Sequence, residues 1–231
     1  MADDAELIKA AAQGITEGTL APLHQIVLNI FGPSSETLGR VINERVKRFE
    51  KRSKEMLLIA DTKPDELSVK LLLPIIQNGA IEENDELQDR WAALLVNTAV
   101  EDIELPAAPE ILKQLTPLDV CFLQMCYEET LRQVDKCNHE AQPFHIFSVE
   151  VTNTFEEWKS VIEARYGIHA SASGKYEPAE WALTSENVIR LGLVKAKPTG
   201  QLYLGYDPSI LMMTELGYRF IGLCQIPDSS C

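Results

Sequence analysis

Apolar positions recur at intervals of three and four along much of the first 134 residues, the repeat of helices with one buried face. Leu38, Ile42, Val46, Phe49 and Met56 make one such stripe, on a helix read from Ser35 to about Ile59. Ahead of it, Glu6–Gln13 and Pro22–Phe31 read as shorter helices closed by Gly14 and by the Gly32-Pro33 breaker. Pro64-Asp65-Glu66 opens the next helix, because proline is tolerated in a first turn and acids there suit the helix dipole. Leu67, Leu71, Leu72, Ile75 and Ile76 form its inner face, and Asn78-Gly79 ends it. Pro74 lies inside that run, where a missing N–H costs about 3 kcal/mol or more. It reads as a fixed bend wrapping the segment around a bundle, with a hinge as the other reading. Asn84 or Asp85 then caps a helix to about Val100, with Leu87, Trp91, Leu94, Leu95 and Thr98 on one face. Pro106 and Pro109 flank a break before a short helix, Glu110–Leu115. Thr116-Pro117-Leu118-Asp119 supplies a cap, a first-turn proline and an acid for a long helix to about Val134.

The period changes in the last third. After an irregular stretch from Asp135 to Phe147, Phe155, Trp158, Ile162 and Tyr166 return to helical spacing, and a polar loop runs from Gly167 to Pro178. A helix over Pro178–Leu191 ends at Gly192, and Leu193–Lys197 reads as a strand. Pro198-Thr199-Gly200 reads as a turn, Gln201–Tyr206 as a second strand, and Thr214 caps a final helix to Cys224. Helix, short hairpin, helix is the winged-helix plan. The expected fold is therefore mainly α: a helical bundle over residues 1–115, followed by a winged-helix-like α+β module with a short β-hairpin over residues 116–231.

With 231 residues, 45% of them hydrophobic, the chain can build a real core. The apolar stretch Leu20–Phe31 carries Pro22, His24, Gln25 and Asn29 and falls short of the about 20 residues a bilayer span needs, so no membrane span is expected. The acidic start Met1–Glu6 is unlike a secretory signal, which points to a cytoplasmic protein. Five cysteines without regular spacing read as thiols, with Cys121 and Cys126 packing in the core.

A net charge of −14 argues against a protein that coats nucleic acid. Residues 40–63 are the exception, with eight Lys/Arg against four Asp/Glu, and they are followed in residues 64–116 by three against eleven. The cations lie opposite and beside the apolar stripe, so Arg45, Arg48, Lys51 and Arg52 are candidate partner or phosphate contacts. The ordinary alternative is a solvated face balanced by Glu44, Glu50 and Glu55 and by the acidic segment that follows, docked within the chain.

In the winged-helix-like module, the helix before the hairpin offers Glu180, Thr184, Ser185, Glu186, Asn187 and Arg190, with Glu177 just ahead. Its acids would face phosphates. Lys195 and Lys197, with Thr199, could contact a backbone, but a specific site wants more cations. Protein contact through the hairpin or the exposed helix face is the favoured reading, and self-association stays open.

No catalytic, cofactor or metal site is expected. His24, His139, His145 and His169 have no metal-ligand spacing, and Cys137-Asn138-His139 with His145 lacks a fourth ligand. The run Glu82, Glu83, Asp85, Glu86, Asp89 lacks the regular spacing and internal glycine of a calcium loop. There is no nucleophile elbow, phosphate loop or dinucleotide fingerprint.

The segments Phe31-Gly32-Pro33 with Leu38-Gly39, the basic helix through Arg52, Leu71–Asn97, Ile111–Asp119 and Met213–Phe220 occur in the order found in the abortive infection alpha family. The chain resembles that family from about Leu20 to Cys224. The resemblance implies a part in phage defence in which an infected cell is sacrificed or arrested, and carries over no catalytic residue. Three readings follow: a non-enzymatic interaction protein, a DNA-binding transcriptional regulator, and a membrane-active effector using the N-terminal amphipathic helices.

Overall fold

Val46, Phe49 and Met56 fall three and seven residues apart, a spacing that puts them on one side of a helix, and all three are buried there. That helix is α1 (Glu36–Ala60) of a computed structural model that describes residues 36–60, 69–101, 105–136, 148–149, 178–198 and 206–226. The helices read over Glu6–Gln13 and Pro22–Phe31, the start at Pro64, the helix bearing Phe155 and Trp158, the turn at Thr199, Cys137 and the four histidines lie outside the described residues. Among these residues the protein is mainly helical with a small antiparallel sheet near its C-terminal end. The chain divides into two compact units, one of residues 1–114 with 222–231, the other of residues 115–221.

In the first unit α1 packs on α3 (Asp85–Glu101), and α2 (Val69–Gly79) packs on α3 and on the short α4 (Ala108–Leu112). Leu71, Leu72, Ile75 and Ile76 of α2 and Leu87, Trp91, Leu94 and Leu95 of α3 are buried with the α1 stripe. Each such side chain contributes roughly 1.5–3 kcal/mol when fully buried. Pro74 sits within α2, and the helix continues past it to Gly79. Gly79 is a close approach: a Cβ there would stand 2.6 Å from Phe49 Cε2 and 2.9 Å from Trp91 Cβ. Gln88 draws the same region together, its Nε2 donating to Gly79 O at 3.0 Å and Arg45 O at 3.2 Å. The short helix begins two residues earlier than its pattern implies, at Ala108, because Pro109 fits inside a first turn and need not mark a break.

The second unit starts with α5 (Pro117–Lys136). Its entry is a reciprocal cap: Asp119 N–H donates to Thr116 Oγ1 at 3.2 Å, and Thr116 N–H donates to Asp119 Oδ2 at 2.8 Å. Strand β1 (Ser148–Val149), helix α6 (Pro178–Arg190), strands β2 (Val194–Pro198) and β3 (Tyr206–Met213), and most of α7 (Glu215–Leu223) follow. The three strands are antiparallel in the order β1-β3-β2. Helix α6 closes on Gly192, whose φ of 71° is the left-handed form glycine adopts freely. Leu193 N–H reaches Val188 O at 3.0 Å and Gly192 N–H reaches Ile189 O at 2.9 Å, the paired bonds of a Schellman ending.

Of the expected second strand at Gln201–Tyr206, only Tyr206 is among the described residues, and there it is in a strand. That strand runs on through Ile210-Leu211-Met212-Met213. Asp207-Pro208-Ser209 reads locally as a turn, since proline removes a ladder donor. Here Pro208 falls between the pairs Pro198↔Tyr206 and Ala196↔Leu211, where the register shifts and proline's missing donor is tolerated.

Candidate functional site

Arg45, Arg48 and Arg52 recur at intervals of three and four on α1, so they form a ladder along one edge of the helix. That edge faces the acidic turn and first turns of α3. Arg45 Nη2 lies 3.0 Å from Glu83 Oε1, and its Nη1 donates to Ile81 O at 3.3 Å. Arg48 forms an ion pair with Asp85. Arg52 Nε lies 3.0 Å from Asp89 Oδ1, and its Nη1 lies 3.5 Å from Glu55 Oε2.

Local sequence sets the acids in place. Asn84 caps α3, its Oδ1 accepting from Leu87 N–H at 3.0 Å, and Glu82 Oε1 accepts from the N–H groups of Glu83 and Asn84 at 2.9 Å each. Asp85 and Glu86 sit in the first turn, where the helix dipole favours negative charge. Burial pushes the Asp89 carboxyl above its ordinary value of 3.8, a cost that the charges of Arg52, Arg48 and Arg90 oppose without reversing and Glu55 increases.

A second row of cations is matched within α1 itself: Lys47 with Glu44 at 3.1 Å, Lys51 with Glu55 at 3.8 Å, Lys54 with Glu50 at 3.2 Å. Each of the six cations from Arg45 to Lys54 therefore has a carboxylate partner. The structure brings four of the candidate contacts, Arg45, Arg48, Lys51 and Arg52, onto one face, and places three of them against acids that follow in the chain.

The second unit holds the other three candidates. Arg190, in the last turn of α6, donates through Nη2 to Asn187 Oδ1 at 2.7 Å, and Asn187 Nδ2 donates to Asp119 Oδ2 at 2.9 Å. Lys195 is exposed on β2; Lys197 lies on the same strand. Thr184 and Val188 are buried, which turns Leu183, Glu186, Ile189 and Arg190 outward together, and Leu183 is 65% exposed.

Sequence reading passed over Arg90 and Asn97. They stand seven residues apart, two turns of α3, and are polar positions in a largely apolar run. Both are buried and grip the end of α7 within the first unit. Arg90 Nη1 donates to Cys224 O at 3.0 Å, and Asn97 Nδ2 donates to Leu223 O at 3.0 Å and Gln225 O at 2.7 Å. The last carbonyls of a helix lack internal partners and carry its negative end, so a cation and an amide are suited to them. Among the described residues no three His, Cys, Asp or Glu gather as a metal-holding group, and no helix is long and apolar enough to cross a membrane.

These features define a mainly helical protein with a small antiparallel sheet, its polar clusters built from charge pairs and helix caps. The chain belongs to the abortive infection alpha family, whose profile matches residues 41–224, most of its length. Membership suggests an abortive-infection-like role. No curated protein and no solved structure matches the chain.

Proposed function

We propose that this protein serves phage defence as a non-enzymatic interaction protein of the cytoplasm, and that its working surface is the outward face of α6 with the adjoining β2–β3 hairpin. The observation that carries the reading is the exposure of two apolar side chains, Leu183 and Ile189, which flank Glu186 and Arg190 on the outward side of α6. Protein interfaces draw most of their binding energy from a few large side chains, with apolar and Arg anchors among them and polar groups around them. A helix that reads DNA needs cations, and this face offers Arg190 with Glu186 beside it.

The order α5, β1, α6, β2, β3, with the sheet arranged β1-β3-β2, supports treating the second unit as winged-helix-like. A winged helix hosts many functions, so the site and not the fold decides between protein and DNA. The membrane reading rests on Leu20–Phe31, outside the described residues, and on α1, whose apolar stripe through Val46, Phe49 and Met56 is occupied by the core.

A mobility-shift titration with duplex DNA at about 50 mM salt tests the proposal against the regulator reading. The wild-type protein leaves the duplex unshifted. A shift that weakens steeply with salt identifies a DNA-binding regulator instead.

A further inference from the structure

The ladder on α1 is chemically a phosphate-binding array with its own acids seated on it. Three guanidiniums in a row, Arg45, Arg48 and Arg52, span about 10 Å at 1.5 Å rise per residue, and each can fork onto an anionic oxygen pair. Lys47, Lys51 and Lys54 are exposed along the other flank of the same helix. The helix cannot swing away to bind, because Val46, Phe49, Ser53 and Met56 are buried beneath it. The cations are thus mounted on a rigid support, and what varies is the anion that meets them.

We propose that Glu83, Asp85 and Asp89 act as a built-in mask over a nucleic-acid backbone-binding surface formed by Arg45, Arg48 and Arg52. From Glu44 to Glu55 the helix bears six cations and three acids, Glu44, Glu50 and Glu55. The three acids from the α3 side bring this surface to neutrality. Without them it is a net +3 strip. The mask is exchangeable, since the side chains of Glu83 and Asp85 are 79% and 78% exposed and exposed ion pairs hold weakly.

The chemistry of the strip selects the partner. Lys47, Lys51, Arg52 and Lys54 face solvent, and from Glu44 to Glu55 the exposed side chains are all charged. A protein partner would find apolar anchors at the ends of the helix, at Val41 and at Leu58 and Ile59, and none along the arginine ladder between them. A membrane would find no free apolar face. A phosphate backbone needs neither, because its binding comes from charge neutralisation. This surface is separate from the α6 face, so its failure leaves the protein-contact reading standing.

The test is salt-dependent binding of a duplex DNA oligonucleotide to the full chain carrying E83Q, D85N and D89N. With three arginines released onto phosphates, the slope of log K against log salt is about −2.7, so affinity falls roughly 40-fold between 50 and 200 mM salt. The double variant E83Q/D85N changes exposed side chains, keeps Asp89 and its packing, and gives a slope of about −1.8. Adding R45Q, R48Q and R52Q abolishes the gain. A folded variant, by its circular dichroism, that binds no duplex overturns the proposal. So does a wild-type chain that binds as tightly as the variant, and so does a variant that binds polyglutamate but not DNA.

Discussion

Arg52 Nε lies 3.0 Å from Asp89 Oδ1, yet the N–H is not aimed along that line, so the pair is held by charge without an aligned hydrogen bond. Asp89 consequently keeps a desolvation cost that Arg52 only partly offsets, and its pKa lies above 3.8. A carboxyl whose folded pKa is raised binds more protons folded than unfolded between the two values. Its contribution to stability is then largest at low pH and falls as pH rises through that window. The stability of the wild type minus that of Asp89→Asn, from urea unfolding at a series of pH values, therefore declines as pH rises above 3.8. A difference that grows with pH contradicts this account of the site.

Glycine at 79 and 217 is required by space. Alanine would add up to about 1 kcal/mol of helix propensity at either position. At Gly79 its methyl would meet Phe49 and Trp91, side chains locked in the core, and overpacking of this kind costs about 1–3 kcal/mol. At Gly217 the obstacle is backbone, since a methyl there would run into the carbonyl of Leu193, so Gly217→Ala costs about 3 kcal/mol or more. Urea denaturation ranks the two, with Gly217→Ala the more damaging.

Asn97→Ala removes the donor shared by Leu223 O and Gln225 O and leaves buried carbonyls without it. The expected loss is about 1–3 kcal/mol. Hydrogen exchange read residue by residue shows amides of residues 221–226 losing protection first.

Burial raises the thiols of Cys126 and Cys224 to about 12. The thiolate is the reactive species, so at pH 8 both resist iodoacetamide in the folded protein and react once urea unfolds it. Mass spectrometry of the labelled peptides checks each separately. Rapid native labelling at Cys126 or Cys224 contradicts the packing described.

The sequence made the helices legible wherever a cap and a periodic stripe agreed, as at Asn84 before Leu87 and Trp91, and at Thr116 before Val120 and Leu123. Charge complementarity between Arg45–Arg52 and the acidic segment was also readable, because the two lie close along the chain and carry opposite sign. Its pairing partners were not, since which acid meets which arginine depends on how α1 and α3 pack. The extension of the strand from Tyr206 through Pro208 to Met213 was not legible, because proline's local signal is a turn and its tolerance comes from an irregular register visible only in the sheet. Arg90 and Asn97 were missed because their partners are backbone carbonyls more than a hundred residues away. A polar pair at two-turn spacing in a buried helix was the available signal.

The central claim is that the outward face of α6 carries the defence function, and plaque formation by phage on bacteria expressing the protein tests it most directly. Leu183→Asp with Ile189→Asp changes two exposed side chains, so the fold and thermal midpoint stay within a few degrees of wild type. The account predicts that wild type lowers plaque number and that this double variant, folded and equally abundant, gives no protection. Full protection by the variant would contradict it.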